Sequence, residues 1–98
     1  MAIYNRPMFR RVKTIIFENV ASTAANSVDT LGSSVYGANF DITVHCSTGA
    51  VYINPLVAAT TANGFKLIEG QSLDLKVLSA LSIIGDSTTA KYQAIVWE

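Results

Sequence analysis

From Phe40 onward the chain alternates apolar and polar residues. Phe40, Ile42, Val44 and Cys46 interleave with Asp41, Thr43, His45 and Ser47, the period of two that a half-buried strand requires. Ser47-Thr48-Gly49 supplies a turn, and Ala50 to Asn54, with Val51 and Ile53 on one face, returns as the second arm of a hairpin. Pro55 ends that strand because it cannot donate to a sheet ladder. Asn63-Gly64 and Glu69-Gly70 are turn signals flanking Phe65-Lys66-Leu67, so Gly64 and Gly70 are expected as backbone-permissive corners. Leu73, Leu75 and Val77 then alternate with Asp74 and Lys76, Leu81 to Ile84 forms a short apolar run before Gly85-Asp86, and Lys91 to Trp97 alternates to the end of the chain.

Upstream the pattern is looser. Val12 to Val20 is dominated by β-branched residues and predicts a first strand. Ala21 to Ser34 is small and polar with no sustained period, which predicts a surface loop or at most a short helical turn. A loop of that length in a small domain suits contact with a neighbouring molecule. Residues 1 to 11 carry Pro7 after Arg6 and the apolar residues Ile3, Tyr4, Met8 and Phe9 without helical spacing, so an extended arm is expected. Short strands with glycine-bearing turns about every ten residues predict an all-β fold: a small antiparallel β-sandwich, jelly-roll or Ig-like, over 12–98, with the arm over 1–11.

Composition narrows the function. Half of the 98 residues are hydrophobic and only 14% are charged, an apolar-rich balance that implies a surface meeting a partner. No apolar run is long enough to cross a bilayer as a helix, and no membrane partner is expected. The opening residues lack the order of a secretory signal, so synthesis in a cytoplasm is expected. The net charge of zero hides an asymmetry: Arg6, Arg10, Arg11 and Lys13 stand among the first thirteen residues with no acid, leaving three basic and seven acidic residues for the remainder. Such an arm meets solvent, the acidic face of a neighbouring subunit or nucleic acid. Nucleic acid ranks last, because the arm has no interleaved glycines and no stacking platform.

No residue pattern announces a reaction, and a non-enzymatic protein without catalytic residues, metal or cofactor is expected. His45 is the only histidine, and Asp41, on the same strand face, lies about 13 Å away along the backbone. Asp74, Asp86 and Glu69 have no metal-ligand spacing. Cys46 has no second cysteine to pair with and suits a buried structural thiol. Trp97 suits equally a packed terminal-strand side chain and an exposed anchor or sugar-stacking platform.

The order of parts from Phe40 to Glu98 resembles the small β-sandwich proteins of bacteriophage virions: capsid decoration or auxiliary proteins, head-fibre bases and related tail modules. The likeness lies in Phe-Asp-Ile-Thr-Val-His-Cys, a glycine turn, Val51-Tyr52-Ile53, the stretch from Gly64 to Val77 with its Gly-x-x-Leu-x-x-Gly-x-Ser-Leu core, Leu81 to Asp86, and Tyr92 to Trp97. Asn54-Pro55 stands where that pattern has a glycine. Without reference to the family, Leu67 is an apolar anchor before the Gly70 corner, and Ser72 is placed to cap the turn locally.

The resemblance implies a structural virion protein that binds the major capsid protein or other virion subunits, acts as a homo-oligomer and is located in the virion. The expected contact is the arm: Tyr4, Met8 and Phe9 lie on a neighbour, and Arg6, Arg10 and Arg11 pair with acidic groups there. Each buried aromatic anchor contributes about 1.5–3 kcal/mol by area. The alternative is a glycan- or cell-surface-binding module displayed on a virion, its site carried by loop 55–63 with Trp97 or Tyr52 beside it.

Overall fold

The computed structural model describes residues 11–21, 29–32 and 39–97. Tyr4, Arg6, Met8, Phe9 and Arg10 of the expected arm lie outside the described residues. Eight strands follow in order: β1 (Val12–Val20), β2 (Asp29–Gly32), β3 (Phe40–Thr48), β4 (Ala50–Asn54), β5 (Phe65–Ile68), β6 (Ser72–Val77), β7 (Ala80–Gly85) and β8 (Lys91–Trp97). Seven of them fall where the apolar periodicity places strands. β2 corrects the expectation of a loop or helical turn from Ala21 to Ser34. Its sequence, Asp-Thr-Leu-Gly, carries poor strand formers, and only antiparallel pairing with β7 makes it a strand.

The pairing is nested. β1 joins β8, β2 joins β7, β3 joins β6 and β4 joins β5, all antiparallel. That is one long hairpin doubled over, and wrapping it around a core brings β3 beside β8 and β4 beside β7. The two sheets, β1-β8-β3-β6 and β2-β7-β4-β5, have the strand order of an eight-stranded jelly roll. The choice between jelly-roll and Ig-like sandwiches thus resolves to the first.

The inward faces form the core. Phe40, Ile42, Val44 and Cys46 of β3 and Tyr92, Ala94 and Val96 of β8 meet Val51, Ile53, Leu67, Leu81 and Ile83 of the facing sheet. Ile42, Val44, Cys46, Val51, Ile83, Tyr92 and Val96 are wholly inaccessible to solvent. Burying an aliphatic side chain of this size stabilises by about 1.5–3 kcal/mol. The core closes tightly at the turn between β7 and β8, where Ala21 donates its N–H to the Ala90 carbonyl at 3.0 Å. A Cβ at Gly85 would stand 2.8 Å from the Ala90 Cβ and 3.1 Å from the Ala21 Cβ.

Antiparallel connectivity sorts the connections between two ends. At one end lie Gly49 between β3 and β4, Glu69–Gln71 between β5 and β6, and Asp86–Ala90 between β7 and β8. At the other lie the start of β1, the end of β8, loop 55–64 between β4 and β5, and Leu78-Ser79 between β6 and β7.

Gly85→Ala should therefore overpack the core and cost about 1–3 kcal/mol, lowering the melting temperature by about 4–8 °C per kcal/mol in a domain of this size. Thermal and urea unfolding, followed by circular dichroism, measure it; an unchanged midpoint would show that this corner is looser than the distances state.

Candidate interaction site

The end of the sandwich that carries the start of β1 also carries the four most exposed large apolar side chains among the described residues. Leu56 is 85% exposed, Leu78 68%, Val57 60% and Phe65 59%. Phe65 has the inward parity of Leu67 but stands at the open start of an edge strand, so only Leu67 is covered. A groove of ≈ 260 Å³ runs between Pro55–Ala58 and Ser79, Ala80 and Ser82. Large apolar groups collected in one place on a soluble surface mark an interaction site more than the same groups scattered would.

These side chains are held in place. The Asn54 carboxamide oxygen accepts the N–H groups of Leu56 at 2.9 Å and Val57 at 3.1 Å, and its Nδ2 donates to the Asn63 carbonyl. Asn63 in turn accepts from the Thr60 N–H at 2.8 Å and donates to the Ala58 carbonyl. The Thr60 hydroxyl accepts the N–H groups of Ala62 and Asn63, and the Ser82 hydroxyl accepts the Ala59 N–H. Side-chain oxygens thus satisfy the backbone donors that a loop leaves open. Asn54-Pro55, the departure from the glycine of the resembling pattern, is the root of this network.

The two expected corner glycines differ in kind. Gly70 has a φ of +90°, a left-handed conformation that suits glycine. Gly64 is demanded by space, since a Cβ there would lie 2.7 Å from the Tyr52 Cβ and 2.9 Å from the Thr60 carbonyl oxygen. Gly49, at φ +72°, makes the corner after Thr48 at which the chain crosses between the sheets; β3 and β4 lie in different sheets and do not pair, which corrects the expected hairpin, because the apolar faces of both strands are buried by facing each other across the core.

A second surface is the outer face of the β1-β8-β3-β6 sheet. Across β3 and β6 three pairs line up: Asp41 with Lys76 at 3.6 Å, Thr43 with Asp74, and His45 Nδ1 with the Ser72 hydroxyl at 2.8 Å. Ser72 thus reaches across to His45, while the Gln71 side chain accepts the Ile68 N–H and fastens the turn. Trp97 is half-buried and donates its indole N–H to the Thr43 hydroxyl at 3.0 Å. A shallow groove of ≈ 290 Å³ is lined by Ile15, Ile95, Thr43, His45, Gln93 and Ala94. Tyr52 lies on the outer face of the other sheet, opposite Lys66 and Ile84, so Tyr52 and Trp97 do not line one surface.

The His45–Ser72 contact joins residues from different strands, which no spacing along the sequence reveals. It is a solvent-exposed cross-strand pair, and the Thr43 hydroxyl donates to Asp74, the carboxylate on the adjoining rung. Among the described residues no group of three or more histidine, cysteine or acidic side chains is placed to hold a metal ion. Cys46 is fully buried and donates its thiol toward the Gly49 carbonyl at 3.4 Å. Burial pushes its pKa above the ordinary 9.0.

Searched against protein-family models, curated proteins and solved structures, the chain matches none.

Two outcomes follow from these contacts. Asn54→Ala should cost about 0.5–1.5 kcal/mol by removing exposed hydrogen bonds to two backbone N–H groups and to the Asn63 carbonyl, and should speed hydrogen exchange at Leu56 and Val57; unchanged exchange there would show that the loop is held otherwise. Cys46 should resist thiol reagents at neutral pH until urea exposes it. Because burial disfavours the thiolate only in the folded state, its contribution to stability is intact below the ordinary thiol pKa and declines as pH rises past 9.0 toward the folded value. Cys46→Ala should flatten that alkaline decline, and an identical slope in the variant would assign it to other groups.

Proposed function

We propose that the chain is a non-enzymatic structural component of a bacteriophage virion, a decoration, auxiliary or adaptor protein that docks on the major capsid protein or other virion subunits. The observation that carries the reading is the gathering of Leu56, Val57, Leu78 and Phe65 at the end where β1 begins. Arg11 and Lys13, both exposed, stand at the start of β1 on that same end, and the basic, apolar residues 1–10 precede them in sequence. One end of a rigid body therefore offers apolar area and positive charge together, and the opposite end carries Glu69 and Asp86 in polar turns. The jelly roll is a fold of viral capsid domains and also of lectins, so the fold alone chooses neither role.

In a virion the mechanism is mechanical. A sandwich held by its core fixes the apolar end in one orientation, the arginines steer that end toward acidic groups on the shell, and many symmetric copies make individually weak contacts sufficient. Homo-oligomerisation belongs to the same reading.

The groove beside His45 and Gln93 supports a second reading, a glycan-binding module. The polar side chains of Thr43, His45 and Gln93 line it together with the apolar Ile15, Ala94 and Ile95, a mixture that suits a sugar ring.

The test is to express the chain with the genome that encodes it and purify the particles by density gradient. Recovery of the chain in the particle band by mass spectrometry, lost on deletion of residues 1–11, is the expected result. Recovery only in the soluble fraction would sink the virion reading, and binding on a glycan array would then favour the second.

A further inference from the structure

The geometry points to the open edge of β6 as the surface through which two copies of this chain pair, joining their β1-β8-β3-β6 sheets into one continuous antiparallel sheet. The inference goes beyond the virion reading: it concerns a different surface and holds whatever partner takes the apolar end. β1 and β6 stand at the edges of one sheet, β2 and β5 at the edges of the other. An edge strand offers unpaired backbone groups to any strand that can match it. Three of these edges are blunted. β1 has irregular register between Val12 and Thr14 and between Ile16 and Asn19. β2 is four residues ending in glycine, and β5 is four residues whose last, Ile68, has both its N–H and its carbonyl taken by Gln71. β6 is six residues long and unbroken in register against β3, from Phe40 with Val77 to His45 with Ser72. Among the described residues no strand pairs with its other side.

The turn before β6 fixes how its backbone is divided between the two sides. Cys46 donates its N–H to the Gln71 carbonyl at 2.9 Å, and hydrogen-bonded rungs alternate along an antiparallel pair. Leu73, Leu75 and Val77 therefore direct their N–H and C=O groups to β3, and Ser72, Asp74 and Lys76 direct theirs to the open edge. A second, antiparallel β6 must lay core-facing residues beside core-facing ones, so the two-fold axis passes through a residue. Centred on Asp74, two carboxylates meet; centred on Lys76, two ammonium groups meet; centred on Leu73, Lys76 lies beyond the partner strand. Centred on Leu75, each Asp74 stands opposite the Lys76 of the other copy on the outer face, while Leu75 meets its own mate and Leu73 meets Val77 on the inner face. The Asp74–Lys76 rungs are then the hydrogen-bonded ones, each closing a pair of N–H···O=C bonds.

Cross-strand pairs of opposite charge favour a register and like charges oppose it, so β6 is complementary to itself in this arrangement. Lys76, 3.6 Å from Asp41, comes to lie between that carboxylate and the Asp74 of the mate. Leu73 and Leu75, half-buried against the core, gain cover. The contact uses the same patch on both copies and closes on itself. Its axis is perpendicular to the sheet, so the two apolar ends point in opposite directions and both remain open.

The test is the mass of the purified full chain in solution, read by size-exclusion chromatography with light scattering over a range of concentrations, together with two charge variants. The unaltered chain should form a dimer. Asp74→Lys and Lys76→Asp each place like charges on both rungs and should raise the dimer dissociation constant about tenfold or more. Both positions are exposed, so the fold is retained, as circular dichroism checks. Mixed in equal amounts, the two variants should recover the dimer as a heterodimer, because every rung then again joins opposite charges. An unaltered chain that is monomeric at every concentration would overturn the inference, and so would an oligomer that either variant leaves unchanged. Weakening by both variants without recovery on mixing would overturn the pairing of Asp74 with Lys76.

Discussion

The core face of β3 is the constraint on which the remainder depends. It lies between β8 and β6, so its backbone is paired on both sides and its register fixes both neighbours. Phe40, Ile42, Val44 and Cys46 all point inward, and a slip by one residue would bury Asp41, Thr43 and His45 in their place. That penalty, an unpaired charge and two polar groups in an apolar core, leaves one register acceptable. The strand also secures the turn between β5 and β6, since Cys46 donates its N–H to the Gln71 carbonyl and accepts the Gly70 N–H, both at 2.9 Å. One strand therefore ties the two sheets, and the turn between them, to a single frame.

Nested antiparallel pairing has a geometric consequence for the surface. Every connection alternates ends, so side chains far apart in sequence are gathered according to which connection they occupy. Gly49, Glu69, Gly70, Gln71 and Asp86 close tight polar corners at one end. Pro55, Leu56, Val57, Leu78 and the start of β1 meet at the other. The internal hydrogen bonds of loop 55–64 matter here because they spend the loop's polar atoms on its own backbone. The outward-facing residues of that loop are then free to be apolar, and Leu56 and Val57 are.

The strands were legible wherever burial alternated strictly. β8 along its whole length and β3 from Phe40 to Ser47 alternate buried and half-buried positions strictly, and the hydrophobic pattern is a direct image of that. β2 was not legible, because Asp29, Thr30, Leu31 and Gly32 owe their strand to β7 and not to their own preferences. β7 is instructive from the other side: Leu81 to Gly85 are all buried, so Ser82 and Ile84, outward by parity, carry no polar signature of an outer face. Ser82 is covered by the loop whose Ala59 N–H it accepts.

The site was legible only in its parts. The basic and apolar character of residues 1–11 could be seen directly, whereas the apolar end could not, because Leu56 and Leu78 stand in different connections and come to the same end only through the topology. The His45–Ser72 and Trp97–Thr43 contacts are invisible for the same reason. Gly64 shows how a correct residue type can have a different cause: the Asn63-Gly64 pair suggests a permissive backbone, yet the glycine is required by the approach of Tyr52.

A neutral chain with its positive charge concentrated at one terminus and its apolar surface at the end bearing that terminus is not arranged for the stability of the isolated domain. Exposed leucines contribute nothing to a core. On the proposed reading, a second surface would remove these apolar groups from water and meet the basic start of the chain in a single docking event. Apolar burial and charge pairing would then depend on one orientation, and the strand order, which brings loop 55–64, Leu78 and the start of β1 to one end, would set it.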